Sequence, residues 1–145
     1  MSKPPLLVSA CLLGRACRYD GSSVPFPFAA YLEEHYTLIP VCPEQLGGLP
    51  TPRPSAELIK GSVFTATGED LTKAFKMGAE RSLALAVKAG CKQALLMERS
   101  PSCGYGQVYD GTFSGVLTTG DGIFAKMLIL EGFEISTPSK LLLFR

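Results

Sequence analysis

Apolar residues along this chain come in two rhythms. Short, nearly unbroken runs at Leu6–Ala10 (LLVSA) and Thr37–Val41 (TLIPV) read as buried strands; the first ends in a glycine-containing loop, the second in Cys42-Pro43-Glu44. Gln93–Met97 (QALLM) is a third such run and Phe133–Ser136 a last one. Between them the spacing turns helical. Phe28–His35 (FAAYLEEH) predicts a helix, and Leu71–Ala89 a longer one, with Leu71, Phe75, Ala79, Leu83, Ala86 and Val87 on one face. Gly68-Glu69-Asp70 announces that helix and Gly90 suits its carboxyl-terminal cap. Gly122–Leu130 (GIFAKMLIL) predicts a further helix. Gln45–Pro54 (QLGGLPTPRP) is too rich in Gly and Pro to be anything but loop, and Glu98–Gly115 reads as a loop with Tyr109-Asp110-Gly111 as a hairpin turn. Strand alternating with helix predicts one three-layer, Rossmann-like α/β domain over residues 1–145, with a mostly parallel sheet.

Composition narrows the function without choosing it. The chain has 145 residues, 46% of them hydrophobic, and a net charge of +1, so no charge excess points to nucleic acid or lipid. Val8-Ser9-Ala10-Cys11 resembles a lipoprotein signal, but the apolar run before it is far too short for one, and no stretch reaches the roughly 18 apolar residues of a membrane span. The expectation is a cytoplasmic protein whose five cysteines are reduced.

Topology separates those cysteines. In a parallel sheet the carboxyl ends of the strands share one edge, the edge at which open α/β folds bind ligands. Cys11 follows the first strand, Cys42 the second, and Cys103 lies in the loop after the third. Cys91 precedes the third strand and is expected at the opposite edge, on the order of 15–20 Å away, as a small buried hydrophobe. Cys17 is either a fourth ligand or a packed, supporting thiol. Three convergent thiolates point to a soft metal centre, zinc or iron-sulfur, and three ligands leave one coordination position open. His35, the single histidine, falls at a helix end and supports neither a Cys-His pair nor a His-containing zinc site.

The stretches VSACLLGRACRYDG, VCPEQLGGLPTPRP, ERSPSCGYGQVYDGTFSG and TGDGIFAKML together resemble the bacterial domain-of-unknown-function family that includes the thiouracil desulfidases. The resemblance runs from Leu7 to about Ile135, and CLLG, CPE and SPSCG in this order are specific. It implies a [4Fe-4S] cluster held by Cys11, Cys42 and Cys103 with one iron not ligated by protein. It also implies catalytic help from Glu44 of the CPE motif and from a serine of SPSCG, either Ser100 or Ser102. The implied activity is hydrolytic, non-redox removal of sulfur from a small thiolated pyrimidine base or nucleoside such as 2-thiouracil. An unligated iron is a Lewis acid towards a thiocarbonyl sulfur, and a carboxylate two residues from a ligand is placed to handle a proton. Two other readings stand beside this one: a zinc or iron-sulfur module without turnover, and a carrier of sulfur as a cysteine persulfide.

The surrounding residues carry weaker signals. Arg15, Arg18, Arg53 and Arg99 offset cluster charge, hold a phosphate or carboxylate, or are ordinary surface charge, and Glu44 is otherwise a solvated loop residue or a partner for Arg53. Tyr19-Asp20-Gly21 and Tyr109-Asp110-Gly111 bring rings and carboxylates to the site or are plain turns. Gly47-Gly48 and Gly104 would admit backbone close to a cluster, and Gly120-Asp121-Gly122 is an anion-binding turn or an ordinary one.

Overall fold

The computed structural model describes residues 3–142. Its central sheet is wholly parallel and joins β1 (Pro5–Ser9), β2 (Thr37–Val41), β5 (Gln93–Leu95) and β8 (Glu134–Ser136) in the order β2-β1-β5-β8. Period-two alternation gives each face its own core. Leu7, Ala94 and Ile135 pack with Ala79 and Ala86 of α3 (Thr72–Lys88) and with Phe124 and Leu128 of α4 (Ile123–Leu130). Leu6, Val8 and Leu95 face the other way, against Leu12, Phe26 and Leu32 of α1 (Ala29–His35). The result is the expected three-layer α/β architecture.

This order also locates the functional edge. From β1 the chain goes first to β2 on one side, and later returns to β5 on the other. The carboxyl end of β1 is therefore a switch point, where loops diverge and leave a crevice.

The structure corrects the expected loops in two places. Pro43–Leu46 forms a one-turn helix, α2, so the loop expected from Gln45 begins at Gly47; Pro43 occupies the first turn, where its missing N–H is no loss. The loop expected over Glu98–Gly115 contains a strand, β6 (Gln107–Tyr109), paired antiparallel with β7 (Leu117–Thr119). Tyr109-Asp110-Gly111 thus opens a longer connection over 110–116 and is not itself the whole turn. A second hairpin, β3 (Ala56–Ile59) with β4 (Ser62–Thr65), turns through Lys60 and Gly61, both at positive φ, and α5 (Pro138–Leu142) follows β8.

Two glycines fix α2 against α3. A Cβ at Gly78 would fall inside contact distance of the Pro43 carbonyl oxygen, and one at Gly47 inside that of Ala74. Both obstacles are backbone, so neither yields cheaply. Gly47 therefore serves helix packing and not, as its sequence implied, an approach to a cluster. Gly78→Ala gains helix propensity but overpacks this crossing, and is expected to destabilise by roughly 1–3 kcal/mol, read as a lower Tm by circular dichroism.

Candidate functional site

At the carboxyl edge of β1, β2 and β5 lies a pocket of ≈ 680 Å³. Cys11 reaches it from a 3-10 turn, Ala10–Leu13, that follows β1 directly and stops at Gly14 with φ 88°. Cys42 reaches it as the cap of α2, its carbonyl accepting the Leu46 N–H at 3.0 Å. Cys103 comes from the loop after β5, closed by Gly104 N–H donating to the Ser100 carbonyl at 2.8 Å. Cys17 lines the same pocket. Cys91 does not; it is buried at the amino end of β5 among Ala86 and its neighbours, as expected.

Burial and neighbouring thiols disfavour the charged form of Cys11, Cys17 and Cys103. Burial, then the neighbouring Cys42, pushes Cys11 up to about 11. Burial, then Cys42 and Cys11, pushes Cys17 up to about 12. Burial raises Cys103 as well, against a lowering hydrogen bond with Ser9. Several thiolates are compatible here only with positive charge among them, which is what a soft metal centre supplies. Among the described residues no three Cys, His, Asp or Glu side chains converge on a point as ligands of a single ion do. The donor set itself, three soft thiols brought to one pocket by three separate loops, suits an iron-sulfur cluster.

Beside the thiols stands a carboxylate held from two sides. Arg53 Nε meets Glu44 Oε1 at 3.0 Å, and Ser100 Oγ donates to Oε2 at 3.5 Å. The Arg53 side chain is only 3% exposed. Its other N–H groups donate to the Pro50 carbonyl (3.2 Å), Thr51 Oγ1 (2.9 Å) and the Cys17 carbonyl (2.8 Å). That Cys17 carbonyl also accepts from Cys42 Sγ at 3.7 Å. One buried guanidinium therefore ties the Cys17 loop, the Glu44 carboxylate and the 50–53 loop together. The sequence offered Arg53 as a charge near the cluster, an anion site, surface charge or a partner for Glu44; in the fold it is that partner, and an internal brace as well.

The two serines differ. Ser100 lines the pocket, and its Oγ accepts the N–H groups of Ser102 (2.9 Å) and Cys103 (3.1 Å) while facing Glu44. Ser102 is 1% exposed, is not part of the pocket wall, and its Oγ has no hydrogen-bond partner among the described residues. A Cβ at Gly104 would collide with the Ser100 carbonyl, and one at Gly122 with that of Ser102. These glycines let the SPSCG loop pack tightly on itself and on the start of α4. Asp121 accepts the Gly106 N–H at 2.8 Å, which makes Gly120-Asp121-Gly122 a structural turn.

Of the four arginines in the motif-bearing loops, Arg18, Arg53 and Arg99 line the pocket, whereas Arg15 is exposed outside it. Tyr19 and Tyr109 line it too. The neighbouring aspartates are used locally: Asp20 accepts from Ser22 and Asp110 from Thr112, and these hydrogen bonds hold both carboxyls below their ordinary range. His35 is exposed against Tyr31, away from the pocket. Ser9 belongs to the site with little in the sequence to mark it. It ends β1, its Oγ accepts the Met97 N–H at 2.8 Å, and it meets the Cys103 thiol; a lone hydroxyl closing an apolar strand was the available signal.

Comparison with known proteins agrees with this geometry. The chain is 39% identical over 146 residues to the uncharacterized protein YbbK of Bacillus subtilis (strain 168), covering 94% of this chain and 97% of that one. Among solved structures it is similar to the [4Fe-4S]-dependent thiouracil desulfidase TudS, with TM-score 0.89, 40% identity and 98% of each chain covered. The family model for 2-thiouracil desulfurase matches residues 6–139, a span that includes β1 from its second residue, all of β2, β5 and β8, and every pocket cysteine. The chain therefore belongs to the 2-thiouracil desulfurase family.

Proposed function

We propose that this protein hydrolytically removes sulfur from a small thiolated pyrimidine such as 2-thiouracil, with Cys11, Cys42 and Cys103 holding a [4Fe-4S] cluster. The observation that carries the reading is the meeting of the Glu44 carboxylate and the Ser100 hydroxyl in the pocket lined by these three cysteines. When bound, the cluster supplies a soft Lewis acid for the thiocarbonyl sulfur. Cys17, whose carbonyl accepts from Cys42 Sγ, would serve as a supporting thiol, so that the three ligand cysteines would leave one iron without a protein ligand.

The chain's own residues handle the proton. Replacing a thiocarbonyl sulfur by the oxygen of water consumes no electrons; it requires a proton to leave the water and protons to reach the products. Glu44 accepts that proton, and Arg53 keeps its carboxylate aimed into the pocket. Ser100 orients Glu44 through Oε2 and fixes the backbone that carries Cys103. Ser102, buried outside the pocket wall, has no part in this path.

The test is a screen of thiolated pyrimidines with protein reconstituted anaerobically with iron and sulfide. Hydrosulfide release by the iron-loaded protein, and none by zinc-loaded protein, is expected. A stable stoichiometric zinc site where iron and sulfide do not load would favour a zinc module. Colourless protein with a labile added sulfur by mass spectrometry would favour a persulfide carrier.

A further inference from the structure

We infer that Phe113 is a built stacking platform for the planar ring of the substrate; this rests on the pocket's reading as a pyrimidine site. Phe113 lines the pocket, half-buried, with φ 57°. A left-handed backbone is unfavourable for a bulky L-residue, and persists only where its surroundings enforce it.

Three contacts enforce it here. The Glu57 carboxylate, from β3, accepts the N–H of Gly111 at 3.0 Å and of Phe113 at 3.2 Å on the same Oε1. Gly111, at φ 90°, lies so close to β3 that a Cβ would stand 2.8 Å from both the Leu58 carbonyl oxygen and Ile59 Cγ1. Asp110 Oδ1 accepts the Thr112 N–H at 2.9 Å. The loop is thus clamped to β3 on both sides of Thr112, and the clamp delivers an aromatic ring to the pocket wall in a conformation that glycine would adopt without strain. The left-handed backbone alone marks no site, since Lys60 adopts it in a plain hairpin turn; at Phe113 it coincides with an aromatic residue on the pocket wall, fixed by contacts from a separate strand. Such fixing suits a ring that must face a flat heterocycle, because stacking works through the ring's face and tolerates little displacement.

Phe113→Gly separates the two roles. Relief of the strained φ leaves Tm unchanged or raised, while loss of the ring raises both the Kd and the KM of the cluster-loaded protein for 2-thiouracil by roughly 10- to 100-fold. Phe113→Tyr retains the platform and stays close to the parent. Glu57→Ala, which touches no ring, shifts both constants in the same direction by a smaller factor. Equilibrium dialysis in the cluster-loaded Glu44→Gln background, where turnover is lost, gives Kd, and hydrosulfide release by the Glu44 protein gives KM. Constants within about twofold of the parent in Phe113→Gly overturn the inference. So does a Tm lowered by about 4 °C or more, which would make Phe113 a packing residue. A parent protein that binds 2-thiouracil without releasing hydrosulfide removes the proposed reaction and leaves the platform to be judged by Kd.

Discussion

Glu44→Gln is expected to keep its full iron and sulfide content and to lose about 10²- to 10⁴-fold in turnover, the usual worth of a general base or proton relay. The substitution is nearly isosteric, and the amide oxygen still accepts from Arg53 Nε at the position now occupied by Oε1. The brace on the Cys17 loop therefore survives, since the Arg53 bonds to Pro50, Thr51 and the Cys17 carbonyl do not involve Glu44. What is lost is the ability to take a proton. Ser100→Ala should impair turnover less, and Ser102→Ala should leave it unchanged, because only Ser100 faces Glu44. Colour and iron assay report the cluster, and hydrosulfide release reports the chemistry. Near-normal rates in a fully loaded Glu44→Gln would remove Glu44 from the mechanism.

The second large effect concerns iron. Cys11→Ser, Cys42→Ser and Cys103→Ser are each expected to lose most bound iron and acid-labile sulfide after anaerobic reconstitution. A hydroxyl is a poor soft-metal donor, and each of these thiols comes from a different loop that cannot move to compensate. Cys17→Ser should retain the cluster. Cys91→Ser should retain it as well, with reduced stability instead, since it places a hydroxyl in the apolar cluster beneath α3. Equal iron in all five variants would contradict the ligand assignment.

Much of this was legible in the sequence, for identifiable reasons. Leu6–Val8, Leu38–Val41 and Ala94–Leu96 are apolar runs bounded by turn residues, so the strands and the edge after them followed. Placing Cys11, Cys42 and Cys103 together needed only the parallel-sheet rule. What was hidden depends on contacts between remote segments. Nothing local marks Arg53 as buried; its partners, the Cys17 carbonyl and Glu44, lie elsewhere in the chain. Ser100 and Ser102 share one motif, and their environments diverge only because Gly104 and Gly122 fold the loop back on itself. Helix α2 is a single turn, too short to show a period. Phe113 sits in a stretch, Thr112–Gly115, that reads as polar loop until Glu57 is brought to it from β3.

The central claim is that sulfur leaves by hydrolysis at a cluster-bearing pocket. The most direct test is the balance of the reaction in the absence of reductant: anaerobically reconstituted protein, 2-thiouracil and buffer alone, with pyrimidine product and hydrosulfide both quantified over many turnovers. The account predicts uracil and hydrosulfide in a one-to-one ratio with the cluster intact at the end. Turnover that strictly requires an added electron donor, or a full cluster that releases no hydrosulfide from any thiolated pyrimidine, would contradict it.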